Sequence, residues 1–200
     1  GHGIALACVA RAFAGLFGEV RVPSSDSLEG QVPWGSSIFT DPKYSDERLR
    51  IVHDACEANR VDKTVYLGNE PLALKYLRVC PGSKHDELYN CCRCEKCLRT
   101  MVSLYAIGVL DSVEAFPFPL TPKLVAKALY ITSWHRMFTE ENIELMQRCR
   151  PDDTAMIHAL EVQRDRPIWR SKVLAKLRRK RRHLKRKLKK LMRRMGLSQG

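Results

Sequence analysis

Residues Cys80 to Cys97 read C-P-G-S-K-H-D-E-L-Y-N-C-C-R-C-E-K-C. Three thiols, Cys91, Cys94 and Cys97, recur at C-x2-C-x2-C, and Cys80 lies upstream with ten residues between. Four thiolates are enough for one tetrahedral zinc of the closed, structural kind. Cys91 and Cys92 compete for one position; the regular spacing selects Cys91 and turns Cys92 away. His85 lies between Cys80 and Cys91 and is the alternative ligand for one position. Arg93, Lys96 and Arg99 are expected to offset the net negative charge of a zinc bound by four thiolates. An iron–sulfur cluster and a set of buried free thiols are the rival readings. The ferredoxin-type run needs a further Cys followed by Pro, which is absent downstream. A disulfide framework fits small secreted chains better than close C-x2-C spacing, so the metal reading implies a reducing, cytoplasmic compartment.

Around this stretch lie 200 residues, 44% of them hydrophobic, enough for one globular core with appendages. No run is long and apolar enough to span a membrane. The first seventeen residues are apolar but carry no basic leader and no cleavage pattern, so they are not read as a signal peptide. The net charge of +13 is unevenly placed. Arg166 to Gly200 holds sixteen Lys and Arg and no acid, which leaves 19 basic and 22 acidic residues elsewhere. The chain is therefore a mildly acidic body with a strongly basic tail.

Hydrophobic spacing and turn residues predict a helix over 4–17, buried on several sides, and a strand over 19–22. A polar loop with Ser24 and Ser25 closes that strand. Gly30, Pro33, Gly35 and Pro42 mark a long loop over 28–47, a length that is usually functional. A second strand is expected over 49–53, and helices over 61–67, 71–77 and 95–107. Three further helices are expected over 121–129, 139–149 and 152–163. Thr139-Glu140-Glu141-Asn142 and Asp152-Asp153 read as the capped starts of the last two. The order of elements suggests an α/β domain followed by a helical extension.

The knuckle leading into a helix that carries Arg99 resembles the carboxy-terminal zinc knuckle of the 7-cyano-7-deazaguanine synthase family, within the PP-loop ATP pyrophosphatases. Weaker correspondences lie upstream. His2-Gly3 precedes an apolar helix, Pro33-Trp34-Gly35-Ser36 and Asp41-Pro42 fall where the family has a substrate-facing loop, and Ala58-Asn59-Arg60-Val61-Asp62-Lys63 opens a helix. The resemblance covers residues 1 to about 108, roughly half the chain. It implies a partial Rossmann-like (adenine nucleotide alpha hydrolase-like) α/β domain over 1–110, holding the knuckle at 80–97, then a helical extension over 111–165 and a basic helical tail over 166–200. It further implies ATP-dependent adenylation of a small-molecule carboxylate and its conversion to an amide or nitrile. Lys63, Ser24 and Ser25 become candidates for phosphate or nucleotide contact, and Trp34, Gly35, Asp41 and His53 for substrate contact. The loop that defines the family, S-G-G-x-D-S, is absent from the 200 residues. The expectation is thus the carboxy-terminal part of such an enzyme, incomplete or inactive as this chain, with the nucleotide loop upstream or lost. The cysteine gap also departs slightly from the family's.

In the tail, Leu174, Leu177, Leu184, Leu188, Leu191 and Met195 form one stripe, interrupted by Arg181, with basic residues at most other positions. Such a helix is amphipathic and folds best on an anionic surface, with membrane and nucleic acid both fitting. A coiled coil is disfavoured because no acids flank the stripe. Trp169 suits an interfacial anchor. The alternative to an enzyme is therefore a non-catalytic zinc-knuckle module whose basic arm binds nucleic acid or an anionic membrane.

Overall fold

The computed structural model describes residues 2–31, 35–80, 89–130, 132 and 134–194. The fold is mixed α/β and mostly helical. Its two compact units are Gly1–Tyr66 and Leu67–Gly200.

The first unit holds helix α1 (His2–Ala12), strand β1 (Glu19–Pro23), a 3-10 turn at Asp41–Tyr44, strand β2 (Arg50–Asp54) and most of helix α2 (Arg60–Leu67). β1 and β2 pair in parallel, with Val20 opposite Ile51 and Val22 opposite His53. Alternation along β2 buries Ile51 and His53 and leaves Arg50 exposed. Ala7, Ala10, Leu49 and Ile51 form the core here, with Val20, Val22 and Tyr44 packed against it.

The expectation for α1 needs correction in length and in burial. The helix ends at Ala12, and residues 13–16 form turns. Only Gly3, Ala7 and Ala10 are buried along it, while Ile4, Leu6 and Val9 are exposed. The small residues allow a close approach that large ones would block. The Gly3 amide donates to the Gly35 carbonyl at 2.7 Å, and a Cβ at Gly3 would lie 1.9 Å from that oxygen. Any larger residue at position 3 would force the loop away.

The loop over 28–47 is tied down in its described part. Leu28 donates to the Cys56 carbonyl at 2.7 Å, and the 3-10 turn sits against β2. At the start of α2, Asn59 Oδ1 accepts the Asp62 amide at 2.9 Å and Asp62 Oδ2 accepts the Asn59 amide at 3.3 Å. This reciprocal pair satisfies amides that the first helical turn would leave unpaired.

The second unit is helical: α3 (Pro71–Lys75), α4 (Glu95–Ala106), α5 (Pro122–Ala126), α6 (Trp134–Cys149), α7 (Thr154–Asp165) and α8 (Ile168–Arg194). α4 is central, with nine of its twelve residues buried. Leu98, Met101 and Leu104 join Leu74, Val113 and Phe116 in one core. α6 packs on both α4 and α7, and α5 packs on α7. α7 buries Met156, Ala159, Leu160 and Gln163, the i, i+3, i+4, i+7 stripe of an amphipathic helix. Its N-cap is Asp153, which accepts the Met156 amide at 3.0 Å.

α6 begins at Trp134, five residues before the start expected at Thr139. Thr139-Glu140-Glu141-Asn142 is therefore helix interior. The Thr139 hydroxyl donates to the His135 carbonyl at 2.8 Å, and Ser103 of α4 donates to Asn142 Oδ1 at 2.8 Å. These polar groups are buried at a helix–helix contact and satisfied there, so they resemble a cap in sequence only. α5 is shorter than expected, with Thr121 accepting the Leu124 amide as its N-cap.

Candidate metal centre and strand-end cluster

The Sγ atoms of Cys80, Cys91, Cys94 and Cys97 all lie within 4.8 Å of one another. Cys94 is 3.4 Å from Cys97 and 3.9 Å from Cys80, and Cys91 is 3.9 Å from Cys97. Four sulfurs at about 2.3 Å from a tetrahedral zinc stand about 3.8 Å apart, so these spacings fit a metal of that size.

Local backbone geometry creates the convergence. Cys92 adopts φ 53°, a left-handed turn uncommon for a residue with a side chain. It lets the Cys94 amide donate to Cys91 Sγ at 3.3 Å. Cys92 is fully buried, and its own thiol turns to the Asn90 carbonyl at 3.7 Å, outside the cluster. Cys94 is the N-cap of α4 and Cys97 lies in the first turn, where free amides and the macrodipole favour a thiolate.

The protonation of the cluster is strongly uneven. A hydrogen bond from the Cys97 thiol, reinforced by the Cys97 amide and the neighbouring thiols, holds the Cys94 thiol down to about 5 against the effect of burial. That same hydrogen bond, with burial and the neighbouring charge, pushes Cys97 up. A cation held among the four sulfurs would favour the thiolate forms that metal binding requires.

Arg93 and Arg99, two of the three cations near the knuckle, make further contacts of their own. Arg93 is exposed, 5.6 Å from the Phe118 ring, and Lys96 is exposed. Arg99 pairs with Glu95 at 3.3 Å and stacks on Phe138 at 4.2 Å. One turn of helix separates Arg99 from Glu95, so its charge is directed along α4 rather than at the cysteines.

Asn90 is the residue that sequence reasoning missed. It is fully buried, and its Oδ1 accepts the amides of Val79 at 2.9 Å and Cys80 at 3.2 Å. Its Nδ2 donates to the carbonyls of Leu77 at 2.7 Å and Ala115 at 3.0 Å. This side chain clamps the segment that carries Cys80 to the knuckle. The only signal in the sequence is a turn-forming Asn directly before Cys91.

In the first unit, the structure groups the remaining candidates into two sets. Lys63 Nζ donates to the Ser24 carbonyl at 2.9 Å, just beyond the carboxyl end of β1. The buried Ser24 hydroxyl donates to the Asp26 carbonyl at 2.7 Å and accepts from Gln31 Nε2 at 2.8 Å. Ser25 beside it is exposed. Ala55, directly after β2, adopts φ 60°.

The second set is buried. Asp41 Oδ2 lies 2.8 Å from His53 Nδ1 and 2.5 Å from the Ser36 hydroxyl, and Oδ1 accepts the Ser37 amide at 3.4 Å. Burial pushes the Asp41 carboxyl up, but the hydrogen bonds from Ser36, His53 and the Ser37 amide outweigh it and hold it below the usual carboxylate range. His53 Nε2 is buried with no hydrogen-bond partner among the described residues. The Gly35 carbonyl accepts the Gly3 amide. Trp34 and His85 lie outside the described residues.

Fold and cysteine cluster together define a mixed α/β, mostly helical protein with a four-cysteine knuckle able to hold one metal ion, compatible with zinc. No family model, no curated protein and no solved structure matches the chain.

Proposed function

We propose that zinc in the knuckle holds the second unit together, and that the carboxyl ends of β1 and β2 form the substrate face of a PP-loop-like, Rossmann-like enzyme acting on a carboxylate. The observation that carries the enzymatic reading is Lys63. Its ammonium is anchored on the Ser24 carbonyl at the carboxyl end of a parallel strand pair. Parallel α/β sheets bind their ligands at that end. The left-handed Ala55 lies there too, and backbone strain of this kind concentrates at ligand sites.

In this reading Lys63 meets phosphate or carboxylate charge, the exposed Ser25 hydroxyl contacts the same group, and the Asp41–His53 pair fixes the adjoining loop. ATP would supply activation: the carboxylate attacks the α-phosphate, pyrophosphate leaves, and a nitrogen nucleophile displaces AMP. No S-G-G-x-D-S loop occurs in these 200 residues. In this reading the pyrophosphate loop is upstream or lost, and Lys63, Ser24 and Ser25 supply only part of the phosphate contact.

Chemical-shift mapping of the zinc-loaded chain with AMP and inorganic pyrophosphate tests this. Shifts are expected at Ser24, Ser25, Ala55 and Lys63, weakened in Lys63→Met. Shifts confined to the basic tail, or none, would overturn the strand-end site. The second reading, a zinc module that does no chemistry and acts through its arm, is favoured by one observation. Every described side chain of α8 from Lys176 to Met192 is exposed.

A further inference from the structure

α8 divides its surface into a face that docks on the second unit and a face that does not. Ser171 is buried and Ala175 half-buried. Arg178 donates through both terminal nitrogens to the Lys127 carbonyl at 3.2 Å. Just before the helix, Arg166 donates to the Ala128 carbonyl at 2.6 Å and to that of Ala126. These guanidiniums cap the free carbonyls at the carboxyl end of α5 and fix the direction of α8.

At about 100° per residue, Ser171, Ala175 and Arg178 share one side of the helix. Trp169, Val173, Leu177, Leu184, Leu188 and Leu191 fall on a different sector, centred more than 100° away by the same spacing. All six are exposed, Trp169 at 66% and Leu184 at 59%. The leucine stripe therefore points away from the body of its unit. Lys180 and Lys187 run along one border of the stripe and are exposed. The helix contains no Asp or Glu from Ile168 to Arg194.

We infer that α8 is an interfacial helix that lies on an anionic lipid surface, leucine stripe down, and carries the second unit on its opposite face. Charge complementarity selects the lipid. A second copy of this helix would bring cations against cations with no acids to pair them. A nucleic acid would engage the bases of the helix but leave the leucines in water, whereas a lipid surface takes both. Each exposed leucine gains by entering the acyl boundary, and each flanking lysine gains from the negative surface potential. No helix among the described residues is long and apolar enough to cross a membrane, so this is a surface contact. It stands independently of the strand-end chemistry.

Sedimentation of the full zinc-loaded chain with vesicles of phosphatidylcholine and phosphatidylserine tests it. Binding is expected to mixed vesicles and not to phosphatidylcholine alone, and to weaken with salt. The double variant Leu184→Gln, Leu188→Gln keeps every charge and should lose roughly tenfold in partition per leucine. Lys180→Glu with Lys187→Glu keeps the stripe and should also lose binding to mixed vesicles. Vesicle binding unchanged in the glutamine variant would overturn the proposal. So would tight binding to duplex RNA, equal in wild type and glutamine variant, with no vesicle binding.

Discussion

The side-chain oxygen of Asn90 accepts the backbone amide of Cys80 at 3.2 Å, and so ties the first cysteine to the knuckle that holds the other three. The knuckle itself is local, with three candidate ligand cysteines in seven residues and a left-handed Cys92 at its turn. Cys80 has no such local constraint. It reaches the cluster because one buried amide group bonds to Leu77, Val79, Cys80 and Ala115 at once.

Asn90→Ala should therefore weaken both fold and metal. It leaves two amides and two carbonyls without their partner, which at buried positions costs about 2–4 kcal/mol. Zinc affinity should fall by about tenfold or more, the usual effect of losing a residue that orients a ligand. Urea unfolding and competition with a chromophoric chelator measure the two effects. An Asn90→Ala chain with unchanged zinc affinity would show that Cys80 is positioned by something else.

Cys94→Ser and Cys92→Ala should behave oppositely. The first removes a ligand at the start of α4, and native mass spectrometry should show one zinc in the wild type and none in the variant. The second removes a thiol that lies outside the cluster. It should keep the zinc and cost about 1 kcal/mol for the lost packing. Iron with visible absorption in the wild type, or no metal, would rule out the zinc centre.

The four cysteines were legible because their information is local: spacing fixes which thiols can meet, and thiolate chemistry fixes what they meet around. The two strands were legible from their β-branched residues for the same reason. Contacts between distant segments were not. Nothing near Asn90 announces that it will bond across to Ala115, twenty-five residues on. Thr139 and Asn142 carry the residue types of a helix start, and only their burial against Ser103 shows them to be interior. The apolar run of α1 suggested burial on several sides. The helix instead packs on Gly3, Ala7 and Ala10, because a close approach to Gly35 needs small residues. In the candidate strand-end site, Ser24 and Lys63 are thirty-nine residues apart, and their contact depends on how α2 follows β2.

Ala55→Gly should stabilise the first unit. An alanine at φ 60° carries a steric cost of about 1–2 kcal/mol that glycine avoids. Glycine also loosens the unfolded chain, which takes back part of the gain and leaves about 0.5–1 kcal/mol. Hydrogen exchange at the β2 amides should slow accordingly. A faster exchange would mean that the Ala55 methyl makes packing contacts worth more than the strain.

The Asp41–His53 pair predicts how the first unit responds to acid. The Asp41 carboxyl is held below its ordinary value in the folded state, so its stabilising effect is fully present above the unfolded value of about 4. It is lost progressively as pH falls from there through the lower folded value, because protonation there removes the charge that Ser36, His53 and the Ser37 amide bond to. Acid would also strip a metal ion held by the cysteines, so global unfolding would mix two causes. The Ile51 amide separates them. It donates to the Ser45 hydroxyl at 2.8 Å beside the pair and belongs to the unit without the knuckle. Its exchange protection should weaken below about pH 4 in the wild type. In Asp41→Asn the protection should be lower at neutral pH, since the charged acceptor is gone, and should change little with acid. An acid response of Ile51 that is identical in wild type and Asp41→Asn would place its origin in another group and remove Asp41 from the account.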